Sequence, residues 1–352
     1  MGSSSQIKQA MYALAEISSA SRLLQSFGGS NGQQVYVLAY HRVDTPNHRP
    51  WLNPELISAT PDQFSQQMAL LQREYQPVTI EQMMETAVGG KKLPPQAVLV
   101  TVDDGYLDFQ ETILPVCSKF GIRPLLFVPT AYVGQGTFWW DKLYQLIYFS
   151  SRKEIVSAAG ERFSIAAPIE KQLALQQISH ILKSTDMNQG LGWLDDLYSQ
   201  YLQEEKTSGR IKDSVSTLDW DQLREASRHG ADVAAHTHTH AILSRISASQ
   251  ICQEIRQSRA IMQSELGEAL PVFAYPDGVA ESISPESRLI VREEGIQLAF
   301  TMLARRAELD RDPHEYLPRL GTWSKLNLGH FHIRMTPLFS YIQAQGSSNS
   351  AK

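Results

Sequence analysis

Cysteine is nearly absent from this chain, which holds only Cys117 and Cys252 in 352 residues. They stand far apart in helix-like segments, which argues against a disulfide framework or a cysteine-built zinc site and permits a reducing compartment. No apolar run approaches the ~18 residues of a membrane span. The start of the chain lacks the basic region, apolar core and small-residue cleavage site of an export signal, so the expected location is cytoplasmic. Basic residues are not in excess: 32 Lys and Arg against 37 Asp and Glu give a net charge of -5, with no footprint for nucleic acid. What is present is the mixture of an ordinary globular protein, 42% hydrophobic and 20% charged. The length suits one large α/β barrel-like domain or two smaller ones.

The most informative stretch is Ala97-Val98-Leu99-Val100-Thr101-Val102-Asp103-Asp104-Gly105. An unbroken apolar, β-branched run reads as a strand buried on both faces. Its end carries two adjacent carboxylates, at the position where parallel α/β folds place their chemistry. Successive side chains leaving a strand point in opposite directions, so Asp103 and Asp104 can hold different jobs. The same residues also read as a strand-to-helix turn with Asp as N-cap.

Around this strand the apolar pattern alternates between strand and helix, which predicts a parallel sheet or barrel. A helix is expected over 7–27, then a break at Gly28-Gly29-Ser30-Asn31-Gly32. Val35-Tyr36-Val37-Leu38-Ala39-Tyr40 reads as a strand ending at His41. Further strands are expected at 125–128, 232–235, 271–275, 298–301 and 317–320, with helices between them. One helix spans 108–120, started or kinked by Pro115. Between 142 and 216 the pattern is amphipathic and helical with no strand, an insertion packed over one face. Trp139 and Trp140 at its entrance read as core packing of that insertion or as a sugar-stacking surface. The expected organisation is 1–32 as helix and linker, 33–325 as the barrel, and 326–352 as a C-terminal appendage and tail.

Four strand ends carry polar groups: His41, Asp103-Asp104, His236/His238/His240 and Tyr275-Pro276-Asp277-Gly278. In a parallel architecture these ends share one face. Imidazoles and a carboxylate suit Zn²⁺, Ni²⁺, Co²⁺ or Mn²⁺ and leave positions open for water and substrate. His236 and His240 have an offset that brings both rings to one ion if the chain turns helically there, with His238 directed elsewhere. A solvent-facing histidine loop is the plainer reading.

Three motifs together resemble a known family. Thr101-Val102-Asp103-Asp104-Gly105 is similar to the Thr-Phe-Asp-Asp-Gly motif of polysaccharide deacetylases, the NodB-homology group or carbohydrate esterase family 4. His236-Thr237-His238-Thr239-His240 is similar to their His-Ser/Thr-x-x-His motif. Phe273-Ala274-Tyr275-Pro276-Asp277-Gly278 stands where they carry Phe-Arg-x-Pro-Tyr-Gly. The resemblance runs from about residue 35 to 320, less the insertion. It implies a distorted (β/α) barrel of about seven strands. It also implies a hydrolase that removes acetyl, or formyl, groups from an amino sugar or polysaccharide, free or lipid-linked at the inner membrane face, by metal-activated water. The metal ligands would be Asp104, His236 and His240, with zinc the first choice and nickel, cobalt or manganese the others. Asp103 would be the general base, and the backbone near Asp277 would serve the oxyanion.

Two positions depart from the family pattern. Its arginine is Ala274 here and its tyrosine is Asp277, so another cation must orient the base, and Arg319 is the expected one. The general acid is expected to be His41, in a Tyr-His-x-Val strand end of the exopolysaccharide-deacetylase type, ahead of His330 in Leu328-Gly329-His330. An imidazole of pKa near ~6.5 suits protonation of a leaving amine. The altered third motif leaves open a carbohydrate-binding protein that keeps the metal without efficient catalysis, and an amidase acting on a non-sugar amide.

Overall fold

A computed structural model describes residues 33–135, 137–184, 187–204, 217–336 and 339. The helix expected over 7–27 and the tail from 345 lie outside them. The strands are β1 (Gln34–Tyr40), β2 (Arg42–Val43), β3 (Ile57–Ala59), β4 (Gln76–Pro77), β5 (Ala97–Asp103), β6 (Leu125–Val128), β7 (Glu154–Val156), β8 (Arg162–Ser164), β9 (Asp232–Ala235), β10 (Val272–Ala274), β11 (Leu298–Phe300), β12 (Ala307–Glu308) and β13 (Leu320–Gly321). The main sheet runs β11-β10-β9-β6-β5-β1-β12, seven strands along one path, with β4 added beside β5 and β13 beside β1. All of its pairings are parallel except β1 with β12. The segment after β12 nearly completes the ring: Leu317 bridges Phe300 of β11, and Leu320 and Gly321 pair with Leu38 and Ala39 of β1. This is the expected distorted barrel.

Period-two alternation divides the core. Tyr36, Leu38 and Tyr40 of β1, with Val98, Val100 and Val102 of β5, face an outer layer that includes Phe64, Met68 and Leu71 of helix Pro61–Glu74. Val35, Val37, Leu99, Leu125, Phe127, Ala234, Ala274, Phe300 and Leu317 pack together on the inside of the curve. Parity then places Thr101 and Asp103 inside, and Arg319 with them, two residues past Leu317. The four helices starting at Pro61, Ile80, Trp220 and Ala248 are fixed by capping boxes, Thr60/Gln63, Thr79/Gln82, Asp219/Gln222 and Ser247/Gln250.

Three local expectations are corrected. The helix expected over 108–120 opens as a π-helical turn, Phe109–Ile113, and becomes α-helical only over Leu114–Lys119. Pro115 has no N–H to return to the carbonyl four residues back, so the ladder widens ahead of it. The insertion is not purely helical. It holds helices Trp139–Phe149, Pro168–Ser184 and Met187–Glu204, with an antiparallel hairpin, β7 with β8, between the first two. Of β7 only Ile155 is buried, so the hairpin carries no apolar alternation to read. The insertion has its own core of Leu143, Leu146, Ile147, Ile155, Ile178, Leu182, Leu194 and Tyr198. The His236–His240 stretch, finally, is not a helical turn; its geometry is given below.

Candidate active site

Asp103 is the last residue of β5 and almost fully buried. Arg319, with no exposed surface, grips it through two hydrogen bonds, Nη1 to Oδ1 and Nη2 to Oδ2, both 2.7 Å. The guanidinium also donates to Thr101 Oγ1 and the Thr301 carbonyl, each at 3.1 Å, so its planar fork has one orientation. Burial alone would raise the Asp103 pKa. The charge and hydrogen bonds of Arg319, together with His236 and His41, outweigh it and bring it down to about 2.

One residue later the chain turns sharply. Asp104 has φ 76° and Gly105 has φ 73°, both in the left-handed region. At Gly105 a side chain would meet Val128 Cγ1 at 2.7 Å, so this turn requires glycine on two counts. It brings Asp104 opposite the end of β9. Ligand atoms of Asp104, His236 and His240 all lie within 4.8 Å of one another. Asp104 Oδ1 is 3.4 Å from His240 Nε2 and 3.9 Å from His236 Nε2. The two imidazoles converge although the backbone is not helical: Thr237 (φ 64°) and His240 (φ 58°) are left-handed and fold the loop back. Glu254 of helix Ala248–Leu266 holds that loop by accepting from the N–H groups of His238 and Thr239, both at 2.8 Å. His238 does point elsewhere, to Thr130 Oγ1 and Gln257.

The donor set fits a divalent cation. Asp104 Oδ1, which faces both rings, is buried and has no hydrogen bond, an arrangement too costly to keep without a positive partner. His236 Nδ1 lies 2.7 Å from the Ala274 carbonyl, which can only accept, so Nδ1 carries the proton and Nε2 presents its lone pair. Burial, and then the neighbouring His240, push the His236 pKa down to about 4, keeping the ring neutral. His240 Nδ1 has no partner of this kind. Among the described residues, five non-glycine residues have positive φ, and Asp104, Thr237, His240 and Asp277 are four of them. Strain of ~1–3 kcal/mol at each is therefore concentrated here.

These groups open into a cavity of about 340 Å³, bordered also by His41, Asn53, Trp140, Lys183, Tyr275 and Asp277. His41 lies just past β1, its N–H held by Ser58 Oγ at 2.9 Å. His330 sits on helix Leu328–Arg334 and does not border the cavity. Tyr275 borders it but packs its ring against Phe273, with its hydroxyl donating to the Glu315 carbonyl. Pro276 and Gly278 are not on the wall. The insertion forms one side: Trp139 belongs to its core and also borders the cavity, while Trp140 stacks on Phe138 and meets the His240 ring edge-on at 4.8 Å.

The residues that support this wall had no motif to announce them. Asp141 is buried and accepts from Tyr106 Oη at 2.6 Å and from the Asn53 N–H at 3.2 Å, and Trp140 Nε1 donates to the same Tyr106 oxygen. Burial raises the Asp141 pKa to about 6 despite these bonds. Lys183 of the insertion forms an ion pair with Asp277.

Comparison with known proteins places the chain in a family. The family model described as polysaccharide deacetylase matches residues 90–299. A 110-residue stretch is 32% identical to the poly-beta-1,6-N-acetyl-D-glucosamine N-deacetylase of Escherichia coli K12, covering 30% of this chain but only 16% of that protein. Among solved structures, the Streptococcus pyogenes deacetylase PplD superposes with a TM-score of 0.57 at 17% identity, over 86% of this chain and 99% of that one. IcaB from Ammonifex degensii does so with a TM-score of 0.53 at 19% identity, over 86% and 96%. The last two share the fold, and the family match spans well over half of the sequence: the chain belongs to the polysaccharide deacetylase family.

Proposed function

We propose that this protein is a metal-dependent deacetylase of N-acetylated amino sugars in a saccharide chain, with Asp104, His236 and His240 as metal ligands. The observation that carries the reading is the unpartnered Asp104 oxygen facing two imidazoles, beside a second carboxylate that an arginine holds in one orientation. The substrate class follows the E. coli relative, a poly-beta-1,6-N-acetyl-D-glucosamine N-deacetylase.

A divalent ion bound there, zinc before nickel, cobalt or manganese, supplies Lewis-acid polarisation and makes water more acidic. Asp103 takes the proton of the attacking water. Arg319 occupies one lone pair on each Asp103 oxygen and leaves the others to accept. The proton for the leaving amine comes from a second residue. His41, on the opposite side of β5 from β6, gives a proton to the departing amine. The oxyanion of the acyl carbon needs a backbone donor. In the segment after β10, Tyr275 N–H is bonded to Phe300 O and Gly278 N–H to Pro276 O, and proline has none. The Asp277 N–H is the donor left for that role.

The test is acetate release from N-acetylglucosamine oligomers, with metal content measured in parallel. Asp104→Ala and His240→Ala are expected to lose metal and turnover together, and Asp103→Asn to keep metal and lose turnover. Asp103→Asn with full activity would remove the base from the mechanism. A wild-type protein that binds metal and saccharide but releases no acetate would be a binding protein.

A further inference from the structure

Asp277 carries two groups with opposite effects on a negative oxygen forming nearby. Its N–H is the donor assigned above to the oxyanion, and the present inference rests on that reading. Its carboxylate would repel the same oxygen. The residue is pinned in a left-handed turn (φ 62°), so side chain and amide cannot separate by a simple relaxation of the backbone. Behind it, Met302 fills the space beside Gly278: a side chain there would meet Met302 Cγ at 2.8 Å.

From across the cavity comes Lys183, in the last turn of helix Pro168–Ser184, and its ammonium pairs with Asp277 Oδ1. Both residues border the same cavity as Asp104 and the two histidines. The turn that carries Lys183 is itself tied to the barrel, because Arg245 Nε donates to the Lys183 carbonyl at 3.1 Å. As a folding device such a pair contributes little, since the lysine is 44% exposed. Its place at the cavity is what distinguishes it from the other surface ion pairs among the described residues.

We propose that Lys183 is a positioning residue: it neutralises the Asp277 carboxylate and draws it aside, so that the Asp277 N–H serves the oxyanion without an opposing charge. The helical insertion then completes the active site as well as forming one side of it. The size of the effect follows from Coulomb's law. Two like charges about 6–8 Å apart, at an effective dielectric of ~20, oppose each other enough to slow a reaction roughly 30- to 100-fold.

The experiment compares Lys183→Met, Lys183→Arg, Asp277→Asn and the double variant K183M/D277N, all zinc-loaded, with melting temperature and metal content checked for each. Turnover of N-acetylglucosamine oligomers is measured as kcat and KM separately. Binding of methylphosphonate, a tetrahedral anion of acetyl size, is measured by calorimetry. K183M is expected to lower kcat and methylphosphonate affinity by roughly 30- to 100-fold with little change in KM, and K183R to keep most of both. In the D277N background K183M is expected to cause no further loss. Three results overturn the inference: K183M has no effect on kcat or anion affinity; it costs as much in the D277N background as in the wild type; or it raises KM alone, which would place Lys183 in saccharide binding. Failure of the underlying reading looks different, because then Asp104→Ala keeps wild-type acetate release whatever residue 183 is. The anion-binding arm decides the inference even if the wild-type protein proves catalytically silent.

Discussion

Replacing Arg319 by methionine should expose how strongly this fold depends on one buried ion pair. The guanidinium and the Asp103 carboxylate are 0% and 3% exposed and share two hydrogen bonds of 2.7 Å. Truncating one partner of such a pair leaves a buried charge without compensation, a loss of ~3–5 kcal/mol. The proton affinity gives a separate measure. Asp103 falls from an ordinary value of 3.8 to about 2 on folding, which corresponds to about 2 kcal/mol at neutral pH. Because the folded value is the lower one, this contribution is present above about pH 4 and is lost as pH falls toward 2. In R319M only the pull of His236 and His41 still opposes burial, so the carboxyl pKa rises and the loss moves to higher pH. Urea denaturation at pH 7 in the presence of a chelator should show the midpoint falling with an unchanged slope. Adding Asp103→Asn to R319M should restore much of the loss, since two neutral groups leave no naked charge. Equal midpoints for R319M and wild type, or a double variant less stable than R319M, would refute the reasoning.

Other consequences can be checked as directly. Exhaustive chelation should abolish acetate release and zinc should restore it, whereas activity surviving in metal-free protein, verified by elemental analysis, would contradict the ligand set. Gly105→Ala should destabilise by ~1–3 kcal/mol, from its left-handed φ and the 2.7 Å approach to Val128, and a thermal melt reads this out. Asp141, whose pKa rises from 3.8 to about 6 on folding, binds its proton more tightly in the folded state. Its contribution is therefore full below about pH 4 and lost as pH climbs through 6. Asp141→Asn should flatten that part of the stability profile relative to wild type, and parallel profiles would show that the carboxyl does not titrate there.

How much could be read beforehand depends on what each feature needs. The buried strand at 97–103 and its partners are legible because burial on both faces leaves no other use for such apolar runs. Parity along the strands brings Thr101, Asp103 and Arg319 to one side, but Arg319 is legible for another reason: the resemblance calls for a cation beside the base, and the usual position holds Ala274. The convergence of His236 and His240 was readable from their offset, but not its means. The left-handed φ at Thr237 has no signature in residue type, since a β-branched side chain normally avoids that region, and histidine's greater tolerance of it is too weak a signal to mark His240. The β7–β8 hairpin escaped because its strands are mostly exposed. Lys183 and Asp277 escaped for a different reason: they lie 94 positions apart, and nothing in a helical pattern says which lysine will overhang a cleft.

Arg319 has a second property, beyond its grip on Asp103. It rides on the short span whose one end leans on Phe300 and whose other end pairs with Leu38 and Ala39. The clasp that joins the two rims of the sheet is thus also the hand that aims Asp103, the proposed proton acceptor. Loosening the rim should silence chemistry while most strands stay paired, so that turnover disappears at a lower denaturant concentration than the far-ultraviolet signal. Acetate release would then act as a gauge of whether the ring is shut.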